Sequence, residues 1–223
     1  MKKIIIAPSF LSANFADLKN EISRCQEAKI EWIHYDVMDY DFVPNLTFGS
    51  KILKDIVNSS EFKVDIHFMV KVKTKKFEDF FAEYIKCNPS MMTMHIEAMS
   101  KKETKKFYEL CKQNKIMFSL AVSPKTDIHI LDEWLDKVDN VLIMSVEPGF
   151  GGQSFIPEVL TKVEYLSKLQ KVNKYNYTIE IDGGINEETS KKAVKAGVQM
   201  MVAGSYLFES NNFSEKVKTL KHD

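Results

Sequence analysis

At 223 residues the chain is long enough for one large core, and 44% hydrophobic with 28% charged residues is the composition of a globular protein. Its 31 basic and 31 acidic side chains cancel to a formal net charge of zero, which argues against a nucleic-acid or polyanion binder while leaving room for a small-anion site. Cys25, Cys87 and Cys111 are odd in number, far apart and without CxxC spacing, so they read as free thiols of a reducing compartment.

The first element, KIIIAPS (3–9), begins like a signal peptide, with Lys2 and Lys3 before its apolar run. Pro8 and Ser9 interrupt its apolar run and no small-residue cleavage site follows, which makes it an interior strand. NFADLKNEISRCQEAK (14–29) has apolar residues at helical spacing. EWIHYDVM (31–38) is strand-like, and His34, Asp36 and Met38 alternate along it, so they share one face. A buried carboxylate costs several kcal/mol unless it is paired or metal-bound, so Asp36 needs a partner. KVDIHFMV (63–70) places His67 and Met69 on one face by the same rule. SMMTMHIEA (90–98), KIMFSLAV (115–122), NVLIMSVEP (140–148), YTIEIDGG (177–184) and VQMMVAGS (198–205) bring the apolar runs to eight. Between the last two, NEETSKKAVKAG (186–197) reads as a helix: Asn186 caps it, Glu187 and Glu188 occupy its first turn, lysines follow and Gly197 closes it.

Eight strand–helix units in this length give about 28 residues per unit, near the minimum for a βα repeat. Strands alternating with helices imply a parallel sheet. The expected fold is α/β, a single (β/α)8 TIM barrel spanning 1–223 as one domain. The alternative is an open doubly wound sheet of about five to seven strands. No apolar stretch approaches the ~20 residues of a membrane span, and a cytoplasmic location is the expectation.

Chemistry in such a barrel sits at the C-terminal ends of the strands, so polar residues are expected late in each run. Ser9, His34, Asp36, Asp65, His67, His95, Ser145, Asp182 and Ser205 fit that expectation. His34, Asp36, His67 and Asp182 come from three strand ends and make a reasonable nest for a divalent transition metal, which would neutralise Asp36. Against this stands the bland case, in which any one buried histidine is a hydrogen-bonded core residue. His95 is the weakest candidate, and His129 and His222 look like surface residues. If Asp36 and Asp182 face each other, one removes a proton and the other supplies one from the opposite side. A free Asp titrates near ~3.9, too acidic to deprotonate an ordinary C–H, so the substrate must carry a carbonyl next to that carbon, polarised by the metal. Such traffic requires one acid ionised and the other protonated.

Three glycines lie in EPGFGGQSF (Gly149, Gly151, Gly152), two in IDGGIN (Gly183, Gly184) and one in AGS (Gly204). They follow the sixth, seventh and eighth strands, where this fold places its recurrent phosphate site. Glycine lets backbone N–H groups approach an anion, although ordinary turn glycines would look the same singly. There is no P-loop lysine motif and no GxGxxG, so no organic cofactor is expected. Met38, Met69 and Met144 fall at strand ends, as core fillers or as an apolar wall that keeps water from the intermediate.

Together these segments resemble the ribulose-phosphate 3-epimerase family, whose members interconvert ribulose 5-phosphate and xylulose 5-phosphate. The resemblance runs from IAPSFLSANF through HYDVMDYDFVPNLTFG, DIHFMV, VLIMSVEPGFGGQSF and IEIDGGIN to VAGSYLF, and VEPGFGGQ with the H-x-D-x-M-D…F-V-P-N frame is its most specific part. It implies a (β/α)8 barrel with one divalent metal ion (zinc, iron or manganese) held by His34, Asp36, His67 and Asp182. It further implies Asp36 and Asp182 as the acid/base pair, with Ser9, Met38, Met69 and Met144 lining the substrate. Gly149, Gly151, Gly152, Gly183, Gly184, Gly204 and Ser205 would hold the phosphate. A homo-oligomer acting on a ketose phosphate in the pentose phosphate pathway, without nucleic-acid or membrane partners, completes the implication.

The chain departs from the family in three places. Where the family usually reads M-D-G-H-F-V-P-N, Tyr40 and Asp41 stand in the middle; Tyr40 occupies a position whose backbone wants a positive φ, and Asp41 alters charge beside the metal site. The family's Asn-Pro after the fifth strand is Ser123-Pro124, and the glycine before it is Ser119. Epimerisation of a hexulose phosphate such as allulose 6-phosphate would use the same chemistry, although the Gly183–Gly184 pair favours the five-carbon substrate. Related decarboxylases carry Asp-x-Lys where this chain has Asp65-Ile66-His67. A phosphosugar-binding relative that has lost turnover is the non-enzymatic alternative.

Overall fold

The computed structural model describes residues 4–222. Lys2 and Lys3, on which the signal-peptide resemblance rested, lie outside them. Eight strands are present among the described residues: β1 (Ile5–Pro8), β2 (Trp32–Met38), β3 (Lys63–Met69), β4 (Met91–His95), β5 (Met117–Val122), β6 (Asn140–Met144), β7 (Thr178–Asp182) and β8 (Met200–Ala203). Each falls inside one of the eight apolar runs. They pair in parallel in the order β1-β8-β7-β6-β5-β4-β3-β2, which curls the sheet into a nearly closed (β/α)8 barrel.

The remaining seam, between β1 and β2, is bridged at Ser9 and His34. Pro8 suits this seam. The amides of Ile5 and Ser9 donate to Gln199 and Ala203 on the β8 side, so by alternation the nitrogen of Pro8 faces β2. A proline, having no N–H, forfeits nothing at an edge that carries no ladder.

Around the strands lie α1 (Leu18–Glu27), α2 (Ser50–Asn58), α3 (Ala82–Ile85), α4 (Lys101–Gln113), α5 (Leu160–Asn173), α6 (Glu187–Ala196), α7 (Ser205–Phe208) and α8 (Phe213–Lys221). Between β5 and β6 the crossover is a 3-10 run, Ile128–Trp134. Asn186 caps α6 by accepting from the amides of Glu188 and Thr189, and Gly197 ends it at φ 122°. At the start of α1 the expected helix is 3-10 over Phe15–Asp17, with Asn14 accepting from Ala16. None of the described helices is long and apolar enough to cross a membrane.

Strand parity divides the core. Ile33, Tyr35 and Val37 of β2 and Val64, Ile66 and Phe68 of β3 look outward and are buried under the helices, each such side chain contributing roughly 1.5–3 kcal/mol. Inside the barrel, Ala7, Trp32, Met91, Met200 and Val202 form an apolar cluster. A polar layer adjoins it: Asp65, Thr93, Ser119, Asn140 and Glu180, all fully buried. Thr93 Oγ1 donates to Asp65 Oδ1 at 2.7 Å, and the Asn140 amide donates to Ser119 Oγ at 2.9 Å and Glu180 Oε2 at 2.7 Å. The expectation that interior polar groups sit only late in each run is thereby corrected. Polar side chains in the middle of a strand are partly satisfied by these bonds across the barrel, while Asp65 Oδ2, Asn140 Oδ1 and Glu180 Oε1 are left without a hydrogen-bond partner.

Candidate active site

Four residues from the ends of β2, β3 and β7 converge inside the barrel mouth. One ligating atom from each of His34, Asp36, His67 and Asp182 lies within 4.8 Å of all the others. The register aligns Asp36 with His67 on the neighbouring strand, which is why two side chains distant in sequence become neighbours. The histidines present opposite ring nitrogens. His34 Nε2 lies 3.2 Å from His67 Nδ1, and these atoms lie 3.3 Å and 3.2 Å from Asp36 Oδ1 and 3.9 Å and 4.0 Å from Asp182 Oδ2. A proton shared between the two imidazole nitrogens would join them in one hydrogen bond, and two carboxylate oxygens crowd the same point. A cation satisfies all four groups, and a His2Asp2 set suits zinc, iron or manganese. The residues therefore fit a divalent ion.

Electrostatics separate the two aspartates. Burial works against ionisation of Asp36, but the charge and hydrogen bonds of His34 and His67 overcome it and hold this carboxyl far below its usual range. Burial pushes Asp182 up to about 7; His34 pulls the other way, while the charges of Asp36 and Asp65 add to the rise. Burial alone would keep His34 neutral, yet Asp36 and Asp65 raise it well above the ordinary histidine value. His34 Nδ1 sits 2.7 Å from Asp65 Oδ2 without the alignment of a hydrogen bond. Burial and the neighbouring Asp65 charge raise Glu180 well above the usual range.

Above this cluster opens a cavity whose empty space, counted out into its open mouth, is about 560 Å³. Its walls include Ser9, Asp36, Met38, Met69, Met144 and Asp182, together with Gly149, Gly151, Gly152, Gly183, Gly184, Gly204 and Ser205. His34 and His67 are fully buried beneath it. Ser9 Oγ donates to Asp36 Oδ2 at 2.6 Å, so the seam residue also braces the carboxylate. Met38 and Met69 pack with Val43, and Met144 with Leu142 and Val146. Ser145 faces the other way, donating to the carbonyls of Asp182 and Gly183 and so tying the β6 and β7 loops together.

Gly184 is the glycine of these loops that is pressed against backbone. It sits at φ 61°, and a Cβ there would lie 2.6 Å from the amide nitrogen of Phe155 and 2.9 Å from its Cα. Gly184→Ala is expected to force the β6 and β7 loops apart, raising KM at least about tenfold and costing about 1–3 kcal/mol of stability. Steady-state kinetics beside thermal unfolding read both effects.

The departures from the family pattern each find a structural answer. Tyr40 does adopt a positive φ, 61°, with its side chain 71% exposed, a conformation that costs a non-glycine residue about 1–2 kcal/mol. Asp41 forms ion pairs with Lys73 and, at 3.6 Å, with Lys71 of the β3 loop. Asp39 joins the same two loops, accepting from the amides of Asp41, Phe42 and Lys71. Ser119 has become part of the polar layer.

Glu180 and Glu97 were not read from the sequence, and Asp65 and His95 were noted at strand ends only, His95 as the weakest candidate. Glu180 was within reach, since it stands two residues before Asp182 and shares its face. His95 is fully buried, and its Nε2 lies 3.0 Å from His67 Nε2, on the side away from the four-residue cluster. Burial lowers it to about 4 although Glu97 opposes the shift. Burial opposes ionisation of Glu97, yet hydrogen bonds from His95, Thr126 and the Ser123 amide hold it near about 2. His129 and His222 are exposed.

Comparison with known proteins gives the family and the fold. The sequence model of the ribulose-phosphate 3 epimerase family matches residues 5–208. The protein named ribulose-phosphate 3-epimerase of Escherichia coli (strain K12) is 35% identical over 224 residues, covering 100% of this chain and 97% of that one. Its Synechocystis namesake is 36% identical over 223 residues, covering 99% and 94%. Arabidopsis thaliana has a chloroplastic ribulose-5-phosphate-3-epimerase 35% identical over 218 residues, covering 98% and 76%. Among solved structures, a mutant tryptophan synthase alpha-subunit from Pyrococcus furiosus superposes with a TM-score of 0.73 over 100% of both chains at 16% identity, a likeness of fold alone.

Proposed function

The chain belongs to the ribulose-phosphate 3 epimerase family and is an isomerase of the epimerase class, and from this we propose that it interconverts D-ribulose 5-phosphate and D-xylulose 5-phosphate by two-base proton transfer at C3. The observation that carries the reading is a pair of aspartates on one cavity, Asp36 buried and Asp182 partly buried, with opposite leanings: Asp36 held ionised, Asp182 poised near neutral. Asp36 takes the C3 proton to leave an enediolate, and Asp182 returns a proton from the opposite face; in reverse the roles exchange. His34, Asp36, His67 and Asp182 would hold a divalent ion, which supplies the positive charge that acidifies a C–H beside a carbonyl.

Ser9 fixes the orientation of Asp36 through its hydrogen bond. Met38, Met69 and Met144 exclude water from the carbon being inverted, which protects the intermediate. The glycine loops after β6, β7 and β8, with Ser205, take the phosphate, because they leave no side chain between backbone and anion. We read residues 1–223 as one domain, and the protein as a cytoplasmic homo-oligomer of the pentose phosphate pathway.

Incubation with ribulose 5-phosphate in D2O tests this directly. Deuterium is expected at C3 of both the recovered substrate and the xylulose 5-phosphate formed. Binding without exchange would instead make the protein a phosphosugar sensor. Running allulose 6-phosphate in parallel reads the preference for chain length.

A further inference from the structure

His67 needs one particular ring nitrogen free of hydrogen, and the buried polar groups behind it decide which. Its Nδ1 faces the four-residue cluster, 3.2 Å from Asp36 Oδ1. Its Nε2 faces His95 Nε2 at 3.0 Å. On the far side of that second ring, His95 Nδ1 lies 3.2 Å from Glu97 Oε2 and 3.4 Å from Ser123 Oγ. Glu97 Oε1 is committed elsewhere, accepting the Ser123 amide at 2.7 Å. The two imidazoles stack at 5.0 Å with a 26° interplanar angle, and Phe42 covers His95 at 4.9 Å. Lys162 holds the Ser123 loop by donating to the carbonyls of Ser123, Pro124 and Thr126.

A neutral imidazole has one N–H and one lone pair, whereas a carboxylate only accepts. The hydrogen between Glu97 and His95 therefore belongs to His95 Nδ1. That leaves a lone pair on His95 Nε2, so the hydrogen between the two rings belongs to His67 Nε2. His67 Nδ1 is then a lone pair aimed into the cluster. Each choice forces the next.

We propose that Glu97 and His95 are positioning residues, a two-step relay that locks His67 in its Nε2–H tautomer and so keeps Nδ1 ready for a divalent cation. The inference rests on the metal-holding role proposed above for His67. Metal-bound histidines usually anchor their second nitrogen on a carboxylate or carbonyl, and loss of such a partner typically weakens metal binding 10–100-fold. Here the carboxylate acts at one remove, through a second ring.

Glu97→Gln tests the relay with little change of shape. Glutamine offers one acceptor where Glu97 offers two. With the Ser123 amide retaining that acceptor, an NH2 faces His95 Nδ1, reverses the His95 tautomer and places hydrogen on His67 Nδ1. His95→Gln is the rescue variant, since its amide can accept from His67 and donate to Glu97; His95→Leu can do neither. Mn2+ and Co2+ affinities are measured by competition with a chromophoric chelator, and histidine 15N shifts of the metal-free protein report which nitrogen carries hydrogen.

The expected result is a 10–100-fold weaker Kd for Glu97→Gln, with His67 switched to its Nδ1–H form, and a Kd for His95→Gln within about threefold of native. A native Kd in Glu97→Gln, or equal loss in His95→Gln and His95→Leu, would overturn the relay while leaving the proposed function intact. Failure of the native protein itself to bind either ion would overturn both.

Discussion

Asp182→Asn is expected to fold as the native barrel and to turn over ribulose 5-phosphate at least about 10³-fold more slowly. Asparagine fills the same volume but can neither give nor take a proton, so the face served by Asp182 loses its acid. Stability should hold or rise, because the change removes a group whose ionisation is opposed by burial and by the charges of Asp36 and Asp65. The distinguishing measurement pairs kcat with thermal unfolding. Deuterium wash-in at C3 of ribulose 5-phosphate adds a finer reading: with Asp36 intact, exchange without inversion can persist at a reduced rate. Near-native turnover in this variant would show that inversion does not depend on two acids.

Stripping divalent ions with a chelator is expected to lower turnover of the native protein by about 10³-fold or more, with recovery when Mn2+, Zn2+ or Fe2+ is returned. The magnitude follows from the mismatch between a carboxylate base and a carbon acid. Several kcal/mol of charge stabilisation are needed at the carbonyl, and each ~1.4 kcal/mol is a factor of ten in rate. His67→Ala is expected to show the low rate from the outset and to regain nothing from added ion. The truncation opens a hole in a fully buried position, so a stability loss of about 2–4 kcal/mol accompanies it. For that reason Tm is followed in the same samples, where returned ion should raise Tm of the native protein and not of the variant. Full activity after exhaustive chelation would remove the cation from the reading.

Much of the barrel was legible because a β/α repeat writes each strand as a short apolar run between helical spacings, and all eight strands fall within such runs. The four clustered residues were legible for a related reason: alternation along β2, β3 and β7 fixes which side chains share a face. Register was not legible. Nothing in the sequence says that Asp36 stands beside His67 and His67 beside Thr93. His95, two residues further along β4, therefore looked like a stray histidine rather than the neighbour of His67. Thr93, Ser119 and Asn140 were passed over for another reason, since small polar residues also suit a solvated face. Their burial is explicable only once a ring of partners is assembled. Asp41 looked like a perturbation of the metal site until Lys71 and Lys73 emerged beside it on the next loop.

The seam between β1 and β2 ties the integrity of the cylinder to its contents. Seven neighbouring strand pairs are laced by ladders, and the eighth is fastened at Ser9, which bridges to His34 and holds Asp36. A molecule seated against Ser9 and Asp36 would therefore add its own contacts across the seam. Ligand binding is expected to steady this edge, read as slower amide hydrogen exchange at Ile5, Ile6 and Ala7 as the site fills.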